Sequence, residues 1–456
     1  MMQLVAIFLF ATLCIAGLAS APAVLPLVIV MYPLEQLLQA AGGIFLSIPA
    51  LANITVAAVA GFAVLRIIAS QQRPFLGYFN RALIVTLIIF AWSAASLLWT
   101  PSREMGGQLV SGGLPYFVLF VVTAPMLALD VASLARIGRV LLLFGGAVTA
   151  ALVVNPEFRS WSGRQVFMLS GSVMSNPLTT GELGGTIIIT AILLRGDGLS
   201  PLMGLVRLVS LPLGLALALQ SGSRGQLISA IIVCFLFYPV AKRVTTVLGF
   251  IGAFGATIVG YMAFSILAPI ILTGYGAARW STENIEGSVA SRFQNVIDLL
   301  LAQFREPLSL IFGLGYNAFS SVSDGAADGY SHNLSADILT ELGIPMFALY
   351  VWMLVSVFGD GWWLFRRYQH RPVDRSSVAL LLALASYQFL LMHKQGYLWG
   401  AGAFFMFVIA IARVRRREEA LVVDPASEDQ PTGSDRTDSQ VPIQLPLQAP
   451  AGAIRA

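Results

Sequence analysis

Apolar runs of about twenty residues recur along this chain, separated by short polar breaks. Runs of that length suit helices that cross a bilayer. They are continuous rather than alternating, so their period is helical and not that of a barrel strand. In lipid only helices and closed barrels satisfy their own backbone groups. The pattern therefore predicts an all-α, polytopic membrane protein. Spans are predicted near 47–69, 82–99, 114–130, 138–155, 181–195, 204–220, 225–241, 244–272, 334–365, 376–393 and 396–413. The stretch 1–41 holds one span or two, because Pro22, Pro26 and Pro33 blur its helix boundaries. With one span there the total is about 12 transmembrane helices. Leu18 to Ala23 is only faintly like a signal cleavage site, and no positive residue precedes it, so an uncleaved anchor is expected.

The longest interruption runs over 273–333 and predicts one large loop. Inside it Val289, Phe293, Val296, Ile297, Leu300 and Phe304 recur at spacings of three and four. That predicts an amphipathic helix over 288–304, on the membrane surface or against the bundle. Asp324-Gly325 and Asp328-Gly329 are turn signals, and their spacing does not match a calcium loop. Four regions result: N-terminal transmembrane helices over 1–272, the loop over 273–333, C-terminal transmembrane helices over 334–414, and a tail over 415–456. The tail is rich in Pro, Ser, Asp and Gln without apolar period, and is expected to be disordered.

Composition agrees with this frame: 57% of residues are hydrophobic and 11% charged, and the mean hydropathy is +0.80. The placement of charge adds orientation. Alternate loops carry Arg73 and Arg81, Arg136 and Arg139, Arg195 and Arg207, Lys242 and Arg243, Arg366 to Arg375, and Arg413 to Arg417. By the positive-inside rule these loops are cytoplasmic. The opposite face of the membrane then holds segments 100–113, 156–180, 221–224 and 273–333. These carry Arg103, Arg159, Arg164, Arg224, Arg279, Arg292 and Arg305 on the side that the rule depletes.

Cys14 and Cys234 both fall in apolar runs, so no disulfide framework is expected. His332, His370 and His393 have no metal-ligand spacing. Neither a metal, a cofactor nor nucleic acid is expected as a partner. Ser221-Gly222-Ser223-Arg224-Gly225 breaks an apolar run at its outer end. Arg224 there suits bidentate grip of a phosphate, and equally suits an interfacial anchor that snorkels. His332 precedes a helix bearing Leu334, Ile338, Leu339 and Leu342. It fits a general base at neutral pH, and equally a structural hydrogen-bonding residue. Arginines at the bilayer edge with a nearby histidine suit group transfer from a lipid-linked diphosphate.

These residues resemble the bacterial O-antigen ligase and polymerase superfamily. The resemblance covers roughly 160–350. It rests on Ser221-Gly222-Ser223-Arg224-Gly225, on Arg292 in the long loop, and on the turn Gly313-Leu314-Gly315-Tyr316. It continues through His332-Asn333, Leu339, Glu341 and Gly343, with Gly163-Arg164 to Ser175-Asn176-Pro177 as an earlier feature. Pro345, where another glycine is common, and Ser335, where a bulkier residue is usual, depart from the family pattern.

The resemblance implies a metal-independent glycosyltransferase. Its donor would be an undecaprenyl-diphosphate-linked glycan and its acceptor a hydroxyl of lipid A–core, or a glycan repeat in the polymerase reading. It implies His332 as the catalytic residue and Arg224, Arg292 and Arg164 as diphosphate-binding. Ser223, Asn333 and Glu341 would support them. A transporter of lipid-linked glycan is the competing class. It predicts midplane charges, broken helices or an internal repeat, none of which stands out in the sequence.

Overall fold

The computed structural model describes residues 2–161, 164–170, 173–195, 200–243, 246, 248, 282–322 and 331–423. The predicted span at 244–272 (residues 246 and 248 apart), Gly163, Arg279, the Asp-Gly turns at 324–329 and the tail beyond 423 lie outside the described residues.

Among the described residues the regular structure is helical apart from two small hairpins. In order come α1 (Met2–Ala19), α2 (Ala21–Ile29), α3 (Met31–Ala41), α4 (Leu51–Ser70), α5 (Arg81–Ala95), α6 (Arg103–Phe117) and α7 (Val131–Val154). Strands β1 (Arg159–Trp161) and β2 (Arg164–Val166) pair antiparallel, as do β3 (Met168–Ser170) and β4 (Val173–Met174). Helices α8 (Pro177–Leu193), α9 (Pro201–Gln220) and α10 (Arg224–Lys242) follow. After the undescribed stretch come α11 (Thr282–Arg305), α12 (Leu334–Leu342), α13 (Ile344–Tyr368), α14 (Pro372–Gln395) and α15 (Gly402–Val423).

Eight helices among the described residues are long and apolar enough to cross a membrane, and a ninth is added if the bent pair α2–α3 counts as one span. This is a polytopic membrane protein.

Several elements differ from their sequence expectation, each for a local reason. The span predicted from 138 begins at Val131. Asp130 Oδ1 accepts from Ser133 N at 2.6 Å and Ser133 Oγ accepts from Asp130 N at 3.1 Å, a reciprocal cap. The segment 100–113, expected as loop, is helical from Arg103. Its helix continues through a π-helical turn, Val118–Thr123, to Leu127. The run 334–365, expected as one span, breaks at Gly343 into α12 and α13. His393-Lys394-Gln395, expected as a turn, form the last turn of α14.

The tail expected from 415 starts later, because α15 runs on to Val423. Glu418 holds it there, with Oε1 accepting from Val131 N at 3.1 Å and Oε2 accepting from Tyr368 Oη. The sequence reading also finds no broken helix, whereas α2 and α3 meet at Val30 with a 69° bend.

Two helices form the centre. Residues 401–414, leading into and through the first half of α15, are almost wholly buried, as is α8. α8 lies close to its neighbours through glycines: a Cβ on Gly184 would stand 2.7 Å from the Gly214 carbonyl oxygen, and one on Gly185 only 2.1 Å from Tyr387 Oη. Small residues let helix backbones approach closely in lipid.

The basic loops gather at one end of the bundle. Arg413 is fully buried and donates to the carbonyls of Pro125 at 2.8 Å and Pro74 at 3.1 Å. Arg417 reaches Gln71, and Arg375 reaches the Ala241 carbonyl. The opposite end collects the segments near 100, 177, 223, 313–343 and 394, where Thr100 Oγ1 donates to the Tyr316 carbonyl at 2.8 Å and Trp92 Nε1 to the Leu342 carbonyl at 3.1 Å.

Candidate functional site

The site builds up from the loop that follows α11. Helix α11 contains the predicted amphipathic segment and begins earlier, at Thr282. It docks by Leu299 and Gln303, which are buried one turn apart, while Phe293 and Phe304 on the predicted stripe stay exposed. Gln303 Nε2 donates to the Leu339 carbonyl at 2.8 Å, which fixes α11 on α12.

The turn Gly313-Leu314-Gly315 lies directly on the end of α12. Leu314 N donates to the Thr340 carbonyl and Gly315 N to the Glu341 carbonyl, both at 2.9 Å. The Glu341 carboxylate accepts from Asn317 N at 2.9 Å and from Phe319 N at 3.3 Å. Glu341 therefore gathers backbone donors of the next short helix, Phe319–Val322, from 22 to 24 residues away. These bonds order the loop.

His332 sits at the mouth of α12. Its φ of +66° is left-handed, a region that His tolerates better than most residues. The neighbours on either side hold it there. Asn333 caps α12, its Oδ1 accepting from Ala336 N at 3.1 Å. Ser331 Oγ accepts from Asn333 N at 3.1 Å and bonds the carboxylate of Asp337. Asp337 and Ser331 are both buried, so Asp337 positions the backbone around His332.

Burial pushes the Asp337 carboxyl up to about 7, and its bond to Ser331 opposes this. Burial, then the neighbouring Asp337, holds Glu341 well above the usual carboxylate range, against the backbone donors at its oxygens. Both groups bind a proton more tightly folded than unfolded. Their contribution to stability is full below about pH 4. It is lost as pH rises toward the folded value, near 7 for Asp337. The protein is expected to melt at a higher temperature at pH 5 than at pH 8, and Asp337→Asn to narrow that difference. Thermal unfolding in detergent at the two pH values measures it.

The Ser221–Gly225 element joins α9 to α10. Gly222 has φ +63°, Ser223 is the N-cap position of α10, and Arg224 is its first residue. Ser223 Oγ donates to the Pro177 carbonyl at 3.3 Å, which ties this element to the start of α8. A Cβ on Gly225 would lie 2.2 Å from Lys394 Cδ, so the lysine stem crosses Gly225 directly beside Arg224. Lys394 Nζ then donates to Gln226 Oε1 at 2.7 Å, and Gln226 Nε2 to Gln395 Oε1 at 2.5 Å. His393 Nε2 lies 2.5 Å from Ser335 Oγ, in the first turn of α12.

One contact chain thus runs from Gly225 and Gln226, which follow Arg224 at the start of α10, through Lys394 and His393 to the helix that His332 precedes. It also brings together the N-termini of α8, α10 and α12, each carrying about half a positive charge. Arginine, lysine and three helix N-termini make this end of the bundle suited to an anion.

The other expected residues are placed less centrally. Arg292 is half-buried on α11, eleven residues before Gln303, or about 16 Å of helix. Arg164 is half-buried on β2, in the hairpin region that leads into the Asn176 cap of α8. His370 is exposed at the basic end. From sequence, His393-Lys394-Gln395 reads as a short outer turn that could line a cleft, with no role assigned to Lys394, and Asp337 carries no expectation. For Lys394 the signal was available: a basic residue at the end of an apolar span, on the side that positive charge avoids.

Comparison with the profiles of known protein families finds no match for this chain, and comparison with curated proteins finds none either.

Proposed function

We propose that this chain is an O-antigen ligase-like glycosyltransferase. It moves glycan from undecaprenyl diphosphate to a hydroxyl of lipid A–core, on the periplasmic face of a bacterial inner membrane. The observation that carries this reading is the contact chain that joins Gly225 and Gln226, next to Arg224, through Lys394 and His393 to the His332 helix, at the end opposite the basic loops. In this reading the basic end is cytoplasmic, the chain has about 12 transmembrane helices, and the loop bearing α11 is periplasmic.

The acceptor oxygen attacks the anomeric carbon and forms the new glycosidic bond. The bond from that carbon to the diphosphate oxygen breaks. His332 takes the acceptor proton, and the diphosphate leaves as an anion. Arg224, Arg292 and Lys394 stabilise the negative charge that develops on it, and Arg164 contacts the donor. No metal takes part in this scheme. Ser223 and Asn333 hold the two helix starts, and Glu341 orders the loop.

The test is transfer from a lipid-diphosphate-linked glycan in detergent by the purified chain. Arg224→Lys is expected to lower it about tenfold or more, because a point charge cannot replace a bidentate fork. Wild-type transfer by this variant makes Arg224 an interfacial anchor instead.

One observation favours the transport reading. The broken pair α2–α3 carries Glu35, which accepts from Gln39 and Asn53, both at 2.9 Å. Broken helices with polar groups are a transporter device. Flipping of lipid-linked glycan in liposomes without transfer in detergent would establish it.

A further inference from the structure

At the basic end the start of α5, the last turns of α13 and the middle of α15 meet around a groove of about 730 Å³. Its walls are Arg81 at the start of α5, the last turns of α13, and Arg415 on α15. Asp360 is buried at its base. One oxygen of that carboxylate, Oδ1, lies 3.2 Å from Arg81 Nη2 and 3.4 Å from Arg415 Nε. Arg415 stacks over Trp363 with its guanidinium 5.3 Å from the ring centre, and Arg366 over Trp362 at 5.1 Å. Arg367 completes the rim.

Charge does not balance within the groove. Four arginines line it against Asp360, and Glu419 pairs with Arg415 at 3.2 Å from outside the lining, which leaves Arg366 and Arg367 as the excess. Among the described residues Arg366 and Arg367 make no ion pair, and the buried Nε of Arg81 makes no hydrogen bond.

From the rim an exposed apolar stripe runs down α13: Val355 and Trp362, which line the groove, and Phe358 between them are exposed at spacings of three and four. From Arg366 back to Val355 is eleven residues. That is about 16 Å of helix, or half the hydrocarbon thickness of a bilayer.

We propose that this groove is a binding site for an acidic glycerophospholipid. The phosphate takes the forks of Arg366 and Arg367. One acyl chain lies along Val355 and Phe358, down to the middle of the membrane. Basic pockets at the ends of membrane helices recognise anionic headgroups in this way. A zwitterionic lipid brings an ammonium into a groove that already carries excess positive charge. A soluble phosphate gains nothing from the apolar stripe. The site is independent of the transfer chemistry at the opposite end.

The experiment is native mass spectrometry of the full chain, titrated with phosphatidylglycerol or phosphatidylcholine of the same acyl chains. The chain is expected to bind phosphatidylglycerol about tenfold more tightly, and Arg366→Gln/Arg367→Gln to remove that preference. Both arginines are exposed at a helix end, so the double variant folds. Arg136→Gln/Arg139→Gln, exposed elsewhere at the basic end, is expected to keep the preference. Glycerol phosphate at millimolar concentration is expected not to displace the lipid. Equal affinity for the two lipids overturns the proposal. So does an equal loss in the Arg136/Arg139 pair, which would mean diffuse attraction. Displacement by glycerol phosphate overturns it too, and would mean a site for soluble phosphate.

Discussion

His332→Asn is expected to lower glycan transfer by about 10²–10⁴-fold, the range that one positioned general base supplies, while the protein still accumulates in the membrane. Asparagine is the informative replacement. His332 has φ +66°, and Asn adopts left-handed backbone readily, so the loop keeps its path. Alanine there would add a backbone cost of about 1–2 kcal/mol and confuse two effects. The two bonds that fix the neighbouring backbone do not use the imidazole: Asn333 still caps α12, and Ser331 still joins Asp337. Loss of transfer with unchanged melting therefore reports the ring. Transfer at the wild-type rate would make His332 structural and leave the acceptor proton to another group.

Gly343→Ala is expected to destabilise the loop by about 3 kcal/mol or more. At φ +88° and ψ 169° Gly343 occupies a region essentially closed to other residues. A Cβ there would also stand 2.3 Å from the Ile311 carbonyl oxygen and 2.9 Å from Gly313 N. Those neighbours are backbone, so nothing flexible can yield, and the strain adds to the overpacking. Separating α12 from the Gly313 turn removes the acceptors of Leu314 N and Gly315 N. The readout is protease cleavage between α11 and α12, which is expected to rise steeply. Gly107→Ala is the control, since a Cβ at Gly107 meets nothing within 4 Å. Equal resistance of the two variants would show that the close approach at Gly343 carries no stability.

The membrane class and most helix positions were legible because apolar length is a strong signal. The breaks were less so. Residues 334–365 read as one apolar run. What ends α12 is Gly343, at φ +88° and ψ 169°, with Pro345 in the first turn of α13; that stop signal is local, and the apolar count ran through it. Residues 103–113 read as loop because Gly106, Gly107, Gly112 and Gly113 punctuate them. In the fold two of these glycines are packing surfaces. A Cβ on Gly106 would lie 2.9 Å from Leu97 Cδ2, and one on Gly113 3.0 Å from Trp399 Cβ. The early start of α7 was legible in Asp130-Val131-Ala132-Ser133, a cap sequence that the apolar count passed over.

Of the candidate site, Arg224 and His332 could be read singly but their relation could not. It depends on Lys394 and His393, more than 160 residues from Arg224 and about 60 from His332, which only the packing of α14 brings between them.

The most direct measurement is the lipopolysaccharide gel ladder of a strain lacking this protein, beside its pool of undecaprenyl-linked glycan. The account predicts bare lipid A–core with long lipid-linked polymer accumulating behind it. Lipid A–core bearing single repeats, with no long polymer anywhere, would assign the same machinery to polymerisation. An unchanged ladder and an unchanged pool would contradict the account.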